Sequence, residues 1–117
     1  METTSAVTAL SALAHAGRLE VFRRLVRAGE PGMAAGEIAR VAGVAPSTLS
    51  SNLNILAGAR LIASRREGRS IIYRAAYDRM GDLLAFLVED CCAGEVAICA
   101  PLAAIANQAC AAEARSC

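Results

Sequence analysis

Aromatic residues are scarce. Phe22, Phe86, Tyr73 and Tyr77 are the full set, 3% of 117 residues, and tryptophan is absent. Much of the 56% hydrophobic content is alanine, so a core must rely on leucine, isoleucine and valine. Such a chain is one domain's worth, marginal as a monomer, and is expected to gain burial against a second copy of itself. Histidine occurs once, at His15, where the chain breaks between two helical patterns, and it reads as a turn or helix-end residue. There is no Cys-x-x-Cys, no phosphate loop and no acid–base constellation, so an enzyme is not expected. Met1-Glu2-Thr3-Thr4 has no basic export region. The uncharged run from Val96 to Ala112 holds Pro101, Asn107 and Gln108 and is short for a bilayer span. A cytoplasmic protein without membrane contact is the expectation.

Lysine is also missing: all twelve basic residues are arginine, and the net charge is only +1. The distribution says more than the sum. Arg60, Arg65, Arg66, Arg69, Arg74 and Arg79 fall in one short stretch, and Asp82, Glu89, Asp90 and Glu95 follow it. A basic middle and an acidic end imply two surfaces with different tasks.

The apolar pattern predicts a helix from Ser5 to Ala14, with Val7, Leu10 and Leu13 along one side. After a break at His15-Ala16-Gly17, a second helix places Leu19, Phe22, Leu25 and Val26 inward and Arg23, Arg24 and Arg27 outward. Gly29-Glu30-Pro31-Gly32 is a loop. A short helix from Ala35 to Ala42 is closed by Gly43. Pro46 then opens another, in which Leu49, Leu53 and Leu56 recur at helical spacing. Leu61–Arg65 and Ser70–Arg74 read as two strands around a turn at Glu67-Gly68. Asp78 caps a last helix with Met80, Leu83, Leu84, Leu87, Val88 and Cys91 in one stripe, ending near Gly94. The expected fold is mainly α with a small two-stranded antiparallel β-wing: residues 1–95 form a DNA-binding and dimerisation domain, and 96–117 an alanine- and cysteine-rich tail.

Two short helices joined by a tight turn, then a basic hairpin, describe a winged helix-turn-helix. Ser47, Thr48, Ser50, Ser51 and Asn54 fall opposite the leucines of the second helix and offer hydroxyls and an amide to base edges and phosphates. Arg65, Arg66 and Arg69 on the wing supply the attraction to the DNA backbone. Taken one at a time, these polar residues would equally suit an ordinary solvated helix face. Their conjunction with the arginine wing favours double-stranded DNA as the partner.

The stretches Ala12–Leu19, Glu37-Ile38-Ala39, Ser47–Leu56, Ala59–Ile62 and Arg65–Arg69, followed by Tyr73-Arg74, resemble the ArsR/SmtB repressors over about residues 9 to 92. The resemblance implies a homodimer built from the first and last helices, binding an inverted-repeat operator and released by an inducer. In that family histidine is usual where this chain has Asn52, and glycine where it has Arg60. The recognition helix here carries no basic residue, so affinity should lean on the wing.

The five cysteines, Cys91, Cys92, Cys99, Cys110 and Cys117, all fall in the last quarter of the chain. An odd count without an export signal argues for reduced thiols. Cys91 and Cys92 point about 100° apart at the end of a helix, and Gly94 lets the chain return Cys99 to them. Three thiolates without imidazole suit arsenite or antimonite as inducer, whereas zinc would want a fourth ligand. Similar vicinal cysteines in arsenic-responsive members support the same role. Competing readings stay open: Cys91 as a small hydrophobe continuing the Leu84–Leu87–Val88 stripe, a thiol-based redox or other soft-metal sensor, a small thiol enzyme, and a protein-binding module of the same fold. Glu89 and Asp90 beside the thiols work against a reactive thiolate.

Overall fold

A computed structural model describes residues 1–88. Residues Met1–Leu84 form one compact unit. The elements run α1 (Thr3–Leu13), α2 (Ala16–Ala28), β1 (Met33–Ala34), α3 (Ala35–Ala42), α4 (Pro46–Gly58), β2 (Ile62–Glu67), β3 (Ser70–Ala75) and α5 (Tyr77–Val88). The helical fold with a β-wing is as expected, with one addition. Met33 and Ala34 pair antiparallel with Tyr73 and Ile72, so the sheet has three strands in the order β1-β3-β2. A two-residue strand is too short to show any alternation of apolar and polar residues.

The core lies where α2, α3 and α4 meet the root of the wing, and Val21, Leu25, Ile38, Leu56 and Leu61 are its largest fully buried side chains. Each is worth roughly 2 kcal/mol of apolar burial. Helix α1 turns its alanines inward. Ala6, Ala9 and Ala12 are buried, whereas Val7 is 54% and Leu10 41% exposed. Small side chains let α1 lie close on the body, which leaves its larger residues outside. Leu19 of α2 is likewise exposed rather than inward.

The α1–α2 corner is built by two side chains. His15 is the N-cap of α2, its Nδ1 accepting from the amides of Gly17 at 3.1 Å and Arg18 at 3.4 Å. This agrees with the structural role expected for it. Arg18 closes the other helix, Nε donating to the Ala12 carbonyl at 2.6 Å and Nη2 to that of Ser11 at 3.3 Å. Together they satisfy groups that two abutting helix ends leave open. Among the described residues no helix is long and apolar enough to cross a membrane.

Candidate nucleic-acid interface

The helix-turn-helix is set by three local devices. Gly43 takes φ 67 after α3, and its amide and that of Val44 both donate to the Ala39 carbonyl. That left-handed step turns the chain sharply, a conformation glycine adopts without a Cβ penalty. Ala45 is extended, and Pro46 occupies the first turn of α4, where its missing N–H costs nothing. The first helical amide to bond is that of Leu49, to the Ala45 carbonyl at 3.0 Å. With no side chain capping this end, the amides of Ser47 and Thr48 are free to meet a phosphate.

Helix α4 buries Leu49, Asn52, Leu53 and Leu56. The five residues expected on the outer face, Ser47, Thr48, Ser50, Ser51 and Asn54, are all exposed. Asn52 is 6% exposed and belongs to the inner face, its amide nitrogen beside Gly17 in the α1–α2 corner.

Helix α4 ends on a hydrogen-bonding pattern that favours glycine where this chain has Arg60. The Arg60 amide donates to the Ala57 carbonyl at 2.9 Å and the Leu61 amide to that of Leu56 at 3.0 Å, with Arg60 at φ 63. This is a Schellman closure, with the buried Leu56 and Leu61 as its apolar contact. The position calls for glycine and carries arginine, so it holds backbone strain.

The wing register runs from Ile62 opposite Ala75 to Glu67 opposite Ser70. The connection is therefore Gly68-Arg69, one residue later than expected, with Gly68 at φ 62 in the first turn position, where type II′ hairpins take glycine. The shift puts Arg69 at the tip. The three wing arginines are not equivalent. Arg65 is fastened to the protein, its Nε on the Glu67 carboxylate at 2.5 Å and its Nη2 on the Pro31 carbonyl at 2.8 Å. Arg66 and Arg69 are exposed and form no ion pair with the described residues. Arg74, on the other strand, lies 3.8 Å from Glu30. The fastening of Arg65 had no signal in the sequence, because its partner lies 34 residues away.

Cys91, Cys92 and Cys99 lie outside the described residues, as do Gly94 and the expected domain boundary at 95–96. Among the described residues no three of His, Cys, Asp and Glu converge to hold a metal.

The exposed polar helix beside a basic hairpin can be set against known proteins. The Helix-turn-helix domain family matches residues 13–65. The HTH-type transcriptional regulator YgaV of Escherichia coli K12 is 32% identical over 82 residues, covering 70% of this chain and 81% of that one. The Biofilm growth-associated repressor of Agrobacterium fabrum is 34% identical over 92 residues, 79% of this chain and 76% of that one. Among solved structures, an ArsR-like transcriptional regulator from Rhodococcus sp. RHA1 superposes with a TM-score of 0.66 at 25% identity, covering 88% of this chain and 93% of that one. The homodimeric winged helix-turn-helix DNA-binding domain of Mb0332 from Mycobacterium bovis, a possible ArsR-family regulator, gives 0.60 at 29% identity over 74% of this chain and 81% of that one. This chain belongs to the ArsR family of winged helix-turn-helix transcriptional regulators. In this ArsR-family chain, α3 and α4 are the helix-turn-helix, and the β2–β3 hairpin is the wing.

Proposed function

We propose that this regulator is a homodimeric repressor that binds operator DNA, and that trivalent arsenic or antimony at Cys91, Cys92 and Cys99 releases it. The observation that carries the DNA half is a conjunction. The outer face of α4 is lined with small hydrogen-bonding side chains, and two exposed arginines in no ion pair among the described residues stand on the hairpin that follows it. Hydroxyls and an amide read base edges and contact phosphate, while Arg66 and Arg69 add sequence-independent attraction. The Agrobacterium relative is a repressor by name, which supports the direction of control.

The dimer half rests on helix faces. Val7 and Leu10 of α1, and Leu84, Leu87 and Val88 of α5, are exposed large apolar residues. A small chain with few aromatics gains by covering such residues with a second copy. The Mycobacterium bovis domain, homodimeric by description, supports the same state here.

The inducer half rests on chemistry. Three thiols clustered in sequence, with no histidine among them, select soft ions that accept sulfur alone. To empty an operator the ion must favour the released state, and each tenfold drop in DNA affinity takes about 1.4 kcal/mol of coupling.

Fluorescence anisotropy of the protein on its own upstream promoter DNA tests the DNA and inducer parts, with arsenite, antimonite, zinc and peroxide titrated in turn. A phosphine reductant is used in the metal titrations, since dithiols would compete for arsenic. Release by arsenite but not by zinc is expected. Loss of binding with peroxide alone would replace the metalloid reading with a redox one. No binding at moderate salt would remove the DNA reading itself.

A further inference from the structure

A cleft of about 280 Å³ opens where the first turns of α1, the end of α4 and the start of α5 meet, lined by Thr4, Ser5, Thr8, Arg60 and Arg79 among others. Among the described residues no carboxylate lines it. Among the described residues neither guanidinium has an ion-pair partner. The ion pairs of the described residues engage Arg24, Arg40, Arg65 and Arg74, and neither Arg60 nor Arg79 is among them. The Nε of Arg79 is buried with no acceptor. That atom is closed to solvent, as is the Nε of Arg24, so a ligand in the cleft would be met by the terminal guanidinium nitrogens of Arg79.

Arg60 adds a second, independent observation. It holds φ 63 at a helix end where glycine would be relaxed. Arginine stands there despite the strain, and it lines the cleft. The same left-handed turn delivers the Arg60 and Leu61 amides to the carbonyls of α4, so the negative end of that helix is already covered. The first turn of α1 contributes its positive end and the Ser5 hydroxyl. Thr8 donates its own hydroxyl to the Thr4 carbonyl at 3.0 Å.

We propose that this cleft binds a small oxyanion of the phosphate class. Two guanidinium forks match the charge and the flat, paired acceptors of a dianionic phosphate. The occupant would tie the end of the recognition helix α4 to α1 and to the start of α5. None of the outer-face residues of α4, Ser47, Thr48, Ser50, Ser51 and Asn54, lines it.

Inorganic phosphate is titrated into the full-length protein without DNA, against chloride at matched ionic strength, and followed by thermal unfolding and amide resonances. Phosphate is expected to shift the amides of Thr4, Ser5 and Arg60, and to raise Tm by about 5 °C at ten times its Kd. Arg79→Gln and Arg60→Gly are each expected to weaken phosphate at least tenfold. Arg60→Gly is the decisive variant, because it relaxes the backbone and should raise the unliganded Tm, so a lost phosphate response cannot be blamed on misfolding. Equal effects of chloride and phosphate, or variants that respond like the parent, would overturn the proposal. So would a third outcome, in which phosphate alone does nothing but both variants lower the salt dependence of binding to duplex DNA. The arginines would then be contacts to the DNA backbone.

Discussion

Arg65 donates from Nη2 to the carbonyl oxygen of Pro31 at 2.8 Å, joining the wing to the loop that precedes β1. The same side chain holds Glu67 on its own strand. This divides the wing arginines into one that positions the hairpin and two, Arg66 and Arg69, that are free to meet phosphate.

The division predicts distinct phenotypes. Arg66→Ala and Arg69→Ala should each weaken DNA binding alike for specific and random duplexes, and each should reduce the slope of log K against log salt by about 1. Arg65→Ala should change that slope little. Being 43% exposed at its side chain, Arg65 contributes about 1 kcal/mol or less to stability. Anisotropy at four or five salt concentrations separates the cases. A slope for Arg65→Ala as shallow as for the other two would mean that the fastening does not persist on DNA.

Gly32 is the other anchor of this corner. Its φ is 69, and a Cβ there would stand 2.3 Å from the Tyr73 carbonyl oxygen, on the strand that pairs with β1. Because the obstacle is backbone, no rotamer change relieves it. Gly32→Ala should cost about 3 kcal/mol, read as a lower urea midpoint at an unchanged m-value. Gly58→Ala is the control. It has open space around it and a helical setting, and is expected to be neutral or slightly stabilising. Equal midpoints for the two variants would show that the β1–β3 approach is not a tight one.

Much of this was legible along the chain, and the failures share a cause. Gly43 and Pro46 mark the helix-turn-helix because each answers a local backbone demand, and Gly68 marks the hairpin for the same reason. The inner face of α1 carries no large side chain to signal it, and Leu19 of α2 shows that hydrophobic size alone is not the sign of burial. Ala6, Ala9 and Ala12 are inside because they are small enough for close approach, and Val7 and Leu10 are left out. The unpaired Arg79 Nε and the Arg65–Pro31 bond depend on residues brought together from distant parts of the sequence, which no periodicity records. The strain at Arg60 was half visible. The family's usual glycine marked the position as unusual, and only φ 63 shows why.

The exposed face of α1 yields a test of assembly. Leu10→Glu should give a folded monomer, because the side chain lies outside the core and a carboxylate there is solvated until a second copy approaches. Sedimentation velocity would report the mass. Operator affinity should fall more than tenfold as the second half-site is lost. Ala9→Leu offers the contrast. It lies on the buried face, and overpacking there should lower monomer stability by about 1–3 kcal/mol. A Leu10→Glu protein that remains dimeric would move the interface away from α1.

The cysteine proposal stands or falls on selectivity within the set. Cys92→Ser should bind promoter DNA with parental affinity, since hydroxyl for thiol changes neither the helix-turn-helix nor the wing. It should also fail to dissociate at arsenite concentrations that empty the operator for the parent, because arsenic in its trivalent state loses one of three sulfur ligands. Cys91→Ser and Cys99→Ser should match it, while Cys110→Ser and Cys117→Ser should retain the response if those thiols are spectators. The informative comparison is within the five single variants, measured by arsenite titration of preformed protein–DNA complex. Should Cys92→Ser release DNA at the parental arsenite concentration while Cys110→Ser or Cys117→Ser does not, the inducer site belongs to the tail thiols and the triad assigned here is wrong.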